Sequence, residues 1–142
     1  MIDQEKLNEA LLEIAEKRTE LSKMSYSDSK YDEIEDALHD LQDDFNENFG
    51  EYLEDIFLDV HDELCPDTDV LLPTAYLAKK YVEKVNTEDG TADYELNTND
   101  GVYVDMDDYP DQETRLILVP NPVRILFTIN GELKEEVWKQ KS

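Results

Sequence analysis

The sequence feature that most constrains the fold is an apolar stripe running from Tyr31 to Leu64 through an acidic segment. Ten residues recur at steps of three or four, which is the period of one face of an α-helix: Tyr31, Ile34, Leu38, Leu41, Phe45, Phe49, Leu53, Ile56, Val60 and Leu64. Gly50 interrupts this stretch and weakens a helix locally, together with Asn46 and Asn48. The pattern predicts either one long helix bent near Gly50 or two helices that meet there.

A shorter stripe with the same period comes before it. Apolar residues recur at Leu7, Leu11, Ile14 and Leu21, and Asp3 is a suitable N-cap for a helix that ends near Met24. The polar stretch from Ser25 to Ser29 predicts a short loop between the two stripes. Two amphipathic helices joined in this way form an antiparallel helical hairpin. Cys65-Pro66 is expected to end the second helix, because the residue before proline disfavours the helical region.

The remaining sequence predicts one more helix and then strands. V-L-L-P-T-A-Y-L-A-K-K-Y-V-E-K-V predicts a helix from about Val70 or Pro73 to Val85. After Asn86 the apolar residues alternate with a period of two, which indicates strands and hairpins. We therefore expect one α+β domain, mainly helical over 1–85 and mainly β over 86–142, with an antiparallel meander of about four or five strands. One face of the sheet should be covered by helices and the other should be polar.

The register of the last hairpin is predicted from its side chains. A three-residue loop, Ile129 to Gly131 with Gly131 in the left-handed conformation, is favoured over a two-residue Asn130-Gly131 loop. It brings together partners that are apolar or opposite in charge: Phe127 with Leu133, Val123 with Val137, and Arg124 with Glu136. The same loop at 99–101 would pair Leu96 with Val104 and Tyr94 with Met106. The alternative is a C-terminal helix over E-L-K-E-E-V-W-K-Q-K.

The acidity of the chain is concentrated in two blocks. The formal net charge is -24. Asp28 to Asp69 contains 17 acidic residues against Lys30 alone, and Asn86 to Thr114 contains ten acidic residues and no basic one. Such a field repels nucleic acid and anionic membranes and attracts cations or a basic protein or peptide. An alternative is that the acidity only keeps the protein in solution.

Location, cofactors and oligomeric state are less constrained by the sequence. The longest apolar runs span a few residues, so we expect no membrane span and a cytoplasmic protein. No nucleotide-binding motif stands out, and no cofactor is expected. Monomer and homodimer both fit the sequence.

The stretch D-V-H-D-E-L-C-P-D-T-D, Asp59 to Asp69, holds the only cysteine and one of the two histidines. A single cysteine excludes an internal disulfide. His39 lies roughly 33 Å from His61 if both are on one helix, so they can share a metal only if the chain reverses at Gly50. Nearby carboxylates are expected to raise the pKa of the Cys65 thiol, which disfavours a nucleophilic role.

Divalent cations are a second possible ligand class. The candidate ligands lie in a loop between strands and near the end of the second helix: Asp105, Asp107, Asp108, Asp111 and His61. The EF-hand pattern is not met, because counting back from Gly101 puts Leu96 at the first ligand position. Carboxylates in such a loop are usually only solvated.

A binding surface is the remaining interpretation of the composition. The chain contains eight tyrosines and one tryptophan, many beside acidic residues, which suits contact with a basic protein. Candidate binding residues are Tyr52, Asp55, Asp59, Tyr103 and Tyr109, and Tyr103 is expected to be exposed on the sheet. The leading hypothesis is a non-enzymatic interaction domain for a basic partner. A divalent-cation-binding domain is the alternative, and a small enzyme using His61 or His39 is the third.

Overall fold

The computed structural model describes residues 3–82, 94–95, 100–106, 108–120 and 122–140. Two helices are followed by four strands, and the bounds are α1 Gln4–Ser22, α2 Tyr31–Leu64, a 3-10 turn Pro73–Tyr76, β1 Val102–Tyr103, β2 Thr114–Val119, β3 Arg124–Ile129 and β4 Glu132–Lys139. The strands form one antiparallel sheet in the order β1-β2-β3-β4. The predicted α+β arrangement, with helices first and a β-meander after them, is confirmed.

Helix α1 begins where the sequence predicts. The Asp3 carboxylate accepts hydrogen bonds from the backbone N–H groups of Glu5 and Lys6, at 3.1 and 3.2 Å. These bonds satisfy two of the donors that the first turn of a helix leaves unpaired. Leu7 and Leu11 are fully buried, so the predicted stripe faces the core.

The two helices form the predicted antiparallel hairpin. Gln4 Nε2, at the start of α1, donates to the Tyr52 hydroxyl late in α2 at 3.0 Å. Arg18 Nε, near the end of α1, donates to Gln42 Oε1 earlier in α2 at 2.9 Å. The start of α1 thus lies beside the later part of α2, and the end of α1 lies beside an earlier part, as in an antiparallel pair.

Helix α2 is one continuous helix of 34 residues, about 50 Å long. Gly50 lies inside it and does not break it. Every residue of the apolar stripe from Tyr31 to Leu64 is buried or half-buried. Burial of side chains on both sides of Gly50 outweighs the roughly 1 kcal/mol by which glycine weakens a helix relative to alanine. His39 and His61 therefore lie on one helix.

The predicted third helix is wrong over the described residues. Only Pro73–Tyr76 form a 3-10 turn, and Leu77 is extended, with φ -80° and ψ 148°. Tyr81 explains the difference, because its backbone N–H donates to Thr19 Oγ1 at 2.8 Å and its hydroxyl donates to the Leu118 carbonyl at 2.7 Å. These bonds to α1 and β2 hold the chain extended against its local helical propensity. Residues 83–85 of the predicted helix lie outside the described residues.

The prediction that one face of the sheet is polar is also wrong. Of the twelve residues in β2 and β3, all but Arg115 and Ile129 are buried. Near-continuous apolar runs such as R-L-I-L-V are typical of strands covered on both faces. On one face, for example, the Tyr109 ring packs against the Phe127 ring with centroids 5.6 Å apart. Strand β4 is the exposed edge of the sheet, and its first five residues are all exposed.

The last hairpin corrects the predicted register. Residues 132–139 form a strand, which excludes the alternative of a C-terminal helix there. Ile129 pairs with Glu132, so the loop is Asn130-Gly131, and its two residues have φ values of 53° and 87°. Two positive φ values are typical of a type I′ turn rather than of the predicted three-residue loop.

Two irregularities shift the β3–β4 pairing away from the register of a regular two-residue hairpin, and apolar residues of β3 still face charged residues of β4. The register shifts between Phe127 and Thr128 and again between Ile125 and Leu126, so each shift leaves one β4 residue unpaired. The observed partners differ from those predicted: Phe127 faces Glu135, Leu126 faces Glu136, Arg124 faces Lys139, and Thr128 faces Leu133. The bulges lie within β4 and not in the loop that joins it to β3. The alternation of apolar and polar residues does not indicate which of the two positions holds a bulge.

The other predicted turn is only partly described. Gly101 has the predicted positive φ, at 83°. A Cβ atom at this position would clash with the Leu116 carbonyl oxygen, so the close approach to β2 also requires glycine. Leu96 and Asn99 lie outside the described residues, so the pairing of Leu96 with Val104 stays a prediction. The backbone N–H of Glu95 donates to the Val82 carbonyl at 2.8 Å.

Candidate functional site

Helix α2 presents a continuous negative surface to solvent. No lysine or arginine occurs between Tyr31 and Leu64. Because the apolar stripe is turned to the core, the carboxylates lie on the opposite side of the helix. We call the twelve exposed carboxylates the acidic face: Asp32, Glu33, Asp36, Asp40, Asp43, Asp44, Glu47, Glu51, Asp55, Asp59, Asp62 and Glu63.

The acidic face is not neutralised within the part of the chain that the structure describes. The two ion pairs found there are Lys17 with Glu20 and Arg115 with Glu113, and neither involves α2. Eight pairs of acidic residues in α2 are spaced four apart, as Asp43 is from Glu47. Like charges at this spacing destabilise a helix by about 0.2–0.5 kcal/mol per pair, or about 2–4 kcal/mol for the face. The acidic face is therefore a surface whose repulsion a basic ligand would relieve.

An exposed leucine lies within the acidic face. The Leu58 side chain is 50% exposed. Its neighbours one turn away along α2 include Asp55 and Asp62, and Asp59 follows it directly. Asp55 and Asp59 are binding residues predicted from the sequence, whereas Leu58 was not predicted, since it falls outside the apolar stripe. An apolar residue with acidic residues three and four positions away is the signal that would have found it.

The three predicted binding tyrosines are placed differently from one another. Tyr52 is half-buried and its hydroxyl is bonded to Gln4. Tyr109 is half-buried against Phe127. Tyr103, on β1, is 50% exposed, as expected for a side chain on the outer side of that strand. Tyr103 presents more open ring surface than the other two.

His61 is buried in a complete hydrogen-bond network. It is 2% exposed, its Nδ1 lies 2.8 Å from the Thr68 carbonyl oxygen, and its Nε2 lies 2.9 Å from the Tyr76 hydroxyl. The Tyr76 hydroxyl also accepts the backbone N–H of Leu71 at 3.1 Å. It can then donate its own proton to Nε2, which leaves the proton of a neutral imidazole on Nδ1 to bond the Thr68 carbonyl. Both ring nitrogens are occupied, and the histidine holds the turn after α2.

Cys65 is inaccessible at the end of α2. Its side chain is 0% exposed. Burial raises the pKa of the thiol to about 11. This is the predicted direction, but the cause is removal of the thiol from water and not the nearby carboxylates. A neutral, buried thiol is a poor nucleophile.

The predicted cation ligands do not converge within the described residues. No group of three or more His, Cys, Asp or Glu side chains there is arranged to hold a metal ion. Asp105, Asp108 and Asp111 are exposed, and Asp107 lies outside the described residues. His39 is exposed on α2, about 33 Å along the helix axis from His61. A divalent-cation site in the loop from 105 to 111 stays a prediction, and a melting experiment with EDTA and with added calcium tests it.

Neither helix of the described chain is sufficiently long and apolar to cross a membrane.

Comparison of the chain with protein-family models, with curated proteins and with solved structures gave no match.

Proposed function

We propose that the chain is a non-enzymatic interaction domain whose acidic face binds a basic protein or peptide. The observation that supports this is a single helix carrying twelve exposed carboxylates that take part in no ion pair within the described residues. A partner rich in lysine and arginine would replace like-charge repulsion with attraction, and it would be steered towards this face by the net charge of -24.

The chemistry of the partner follows from the spacing of the acidic face. Carboxylates recur once per turn of α2, so they are about 5–6 Å apart along the helix. A basic segment with side chains at a similar spacing can pair with several of them at once. Leu58 adds a small apolar contact among these charges. The partner segment is therefore expected to combine several basic residues with one apolar residue.

A peptide titration at increasing salt tests this function. The probe is a lysine-rich peptide of about 15 residues containing one leucine, and the control has glutamine in place of every lysine. The Kd for the basic peptide, measured by calorimetry, should weaken at least about tenfold between roughly 50 and 300 mM NaCl, because salt screens exposed charges. The glutamine peptide should not bind. A Kd that does not change with salt would show that the proposed electrostatic recognition is wrong.

A further inference from the structure

Three basic side chains converge on one pocket of this acidic protein. Arg18, Lys79 and Lys80 line a pocket of about 510 Å³ between α1 and the segment after the 3-10 turn. Among the described residues Asp100 is the one acidic residue in the lining, so the formal charge of the described lining is positive although the chain carries -24. A basic cluster of this kind creates a local field opposite in sign to that of the acidic face.

Arg18 is fixed in position and has no carboxylate partner among the described residues. Its Nη1 donates to the Ala78 carbonyl at 3.0 Å and its Nε donates to Gln42 at 2.9 Å. Burial lowers the pKa of the guanidinium, since its charge is partly removed from water. Lys79 and Lys80 are exposed and likewise form no ion pair there. The guanidinium is thus held rigidly, with charge left to interact with an anion.

An apolar pocket adjoins the cationic one. It has a volume of about 180 Å³ and shares Arg18, Ser22 and Lys79 with the first pocket. Its remaining lining consists of Leu21, Leu38 and Tyr31. An apolar cavity of roughly 150 Å³ accommodates a benzene ring in a protein interior. The second pocket therefore has room for one six-membered ring or a short alkyl chain beside the cationic group.

We propose that the two pockets form one binding site for a small organic anion that carries a single ring-sized apolar group. The anionic group, a carboxylate or a phosphate, bonds Arg18 and Lys79, and the apolar group lies against Leu21 and Tyr31. This site is distinct from the acidic face, and it does not depend on the basic partner. Its ligand has the opposite charge to that partner.

Four probes test the proposal against the full chain: phenylacetate, phenyl phosphate, inorganic phosphate and the neutral 2-phenylethanol. Calorimetry is combined with amide NMR shifts. We expect phenylacetate or phenyl phosphate to bind and to shift the signals of Ser22 and Lys79, and the tighter of the two identifies the preferred anionic group. Inorganic phosphate and 2-phenylethanol should each bind at least about tenfold more weakly than the tighter aromatic anion, since the first lacks the ring and the second lacks the anionic group. Equal binding of 2-phenylethanol, or no binding of either anion, overturns the proposal.

Two variants and a control locate the site. Lys79→Gln, at an exposed position, should weaken the binding of phenylacetate and phenyl phosphate about tenfold, because it removes a charge-assisted contact. Leu21→Asn should also weaken the binding of these two aromatic anions, and it should leave the Kd of inorganic phosphate unchanged. Lys6→Gln removes the same charge from the exposed side of α1, and it should change neither the binding of the aromatic anions nor that of inorganic phosphate. An equal loss for Lys6→Gln and Lys79→Gln would show that the anions respond to net charge and not to this pocket.

Discussion

The Tyr76 hydroxyl connects His61 to the backbone of the turn that follows α2. It contacts His61 Nε2 at 2.9 Å and the Leu71 N–H at 3.1 Å, and the Tyr76 ring stacks on Phe57 with centroids 3.9 Å apart. Tyr76→Phe keeps the stack but leaves the buried His61 Nε2 without its partner and also removes the acceptor of the Leu71 N–H. The free energy of unfolding should fall by about 1–3 kcal/mol, measured by urea denaturation.

The matched control for this substitution is Tyr103→Phe. The Tyr103 ring is half exposed, so loss of its hydroxyl should change the free energy of unfolding by less than about 0.5 kcal/mol. Equal effects of the two substitutions would contradict the role given to the His61–Tyr76 bond.

Cys65 gives a prediction on pH. Burial raises the pKa of its thiol from an ordinary value of 9.0 to about 11, so the folded state favours the protonated thiol. Its contribution to stability is complete below about pH 9 and is lost as the pH rises towards 11. Urea denaturation between these values should show a smaller loss of stability in Cys65→Ala than in the wild type. Equal losses in the two proteins would contradict the burial of the thiol.

The sequence predicts the neighbourhood of His61 only in part. The helical period alone places Phe57 and His61 one turn apart on the same side of α2, and Cys65 follows the last residue of the helix. The hydrogen-bond partners of His61 lie 7 and 15 residues further along the chain, at Thr68 and Tyr76. A turn directly after α2 and the 3-10 turn Pro73–Tyr76 bring them back to His61, and only the 3-10 turn lies in a segment for which the sequence predicts a helix. The network was therefore not predictable.

At the scale of elements, the glycine in α2 can be tested directly. A Cβ at Gly50 meets only Asn46 Cβ, at 4.0 Å, which is ordinary contact. Gly50→Ala should therefore raise the free energy of unfolding by about 0.5–1 kcal/mol, measured by urea denaturation.

Gly101 is the matched contrast to Gly50. Its φ of 83° and the Leu116 carbonyl leave no room for a side chain. Gly101→Ala should lower the free energy of unfolding by more than about 1 kcal/mol, since alanine is strained at this φ and displaces the backbone. A loss of stability in Gly50→Ala would indicate that α2 is not continuous at that point.

Elements with strong periodicity were predicted well and those fixed by distant contacts were not. The apolar stripes of α1 and α2 predict both helices, since burial of the apolar face of each helix stabilises it. Local propensity also favoured a helix over 77–82, but Tyr81 bonds to Thr19 and Leu118, which lie 62 and 37 residues away. The β3–β4 register likewise depends on two bulges within β4. Neither the distant hydrogen bonds of Tyr81 nor the bulges in β4 can be predicted from the local sequence pattern.

For the whole molecule, the charge of -24 is both the basis of the proposed function and a cost to stability. The position of the carboxylates on one side of α2 follows from the sequence, because the apolar stripe fixes which side is buried. The basic cluster of Arg18, Lys79 and Lys80 does not, since it joins α1 to a segment that was predicted to be helical. In the free protein, the melting temperature should rise as NaCl increases from about 20 to 200 mM, because salt screens the self-repulsion. A falling melting temperature would contradict unneutralised repulsion as a significant term.

Binding of a basic partner to the acidic face in particular is tested by two triple variants with an equal change in net charge. One removes three carboxylates from the middle of α2 and the other removes three exposed ones from β4: Asp43→Asn, Glu47→Gln and Glu51→Gln against Glu132→Gln, Glu135→Gln and Glu136→Gln. The α2 variant should weaken the Kd of the lysine-rich peptide by about tenfold or more, and the β4 variant by less than about twofold. Equal weakening by both variants would contradict recognition by the acidic face of α2, since binding would then depend on net charge alone.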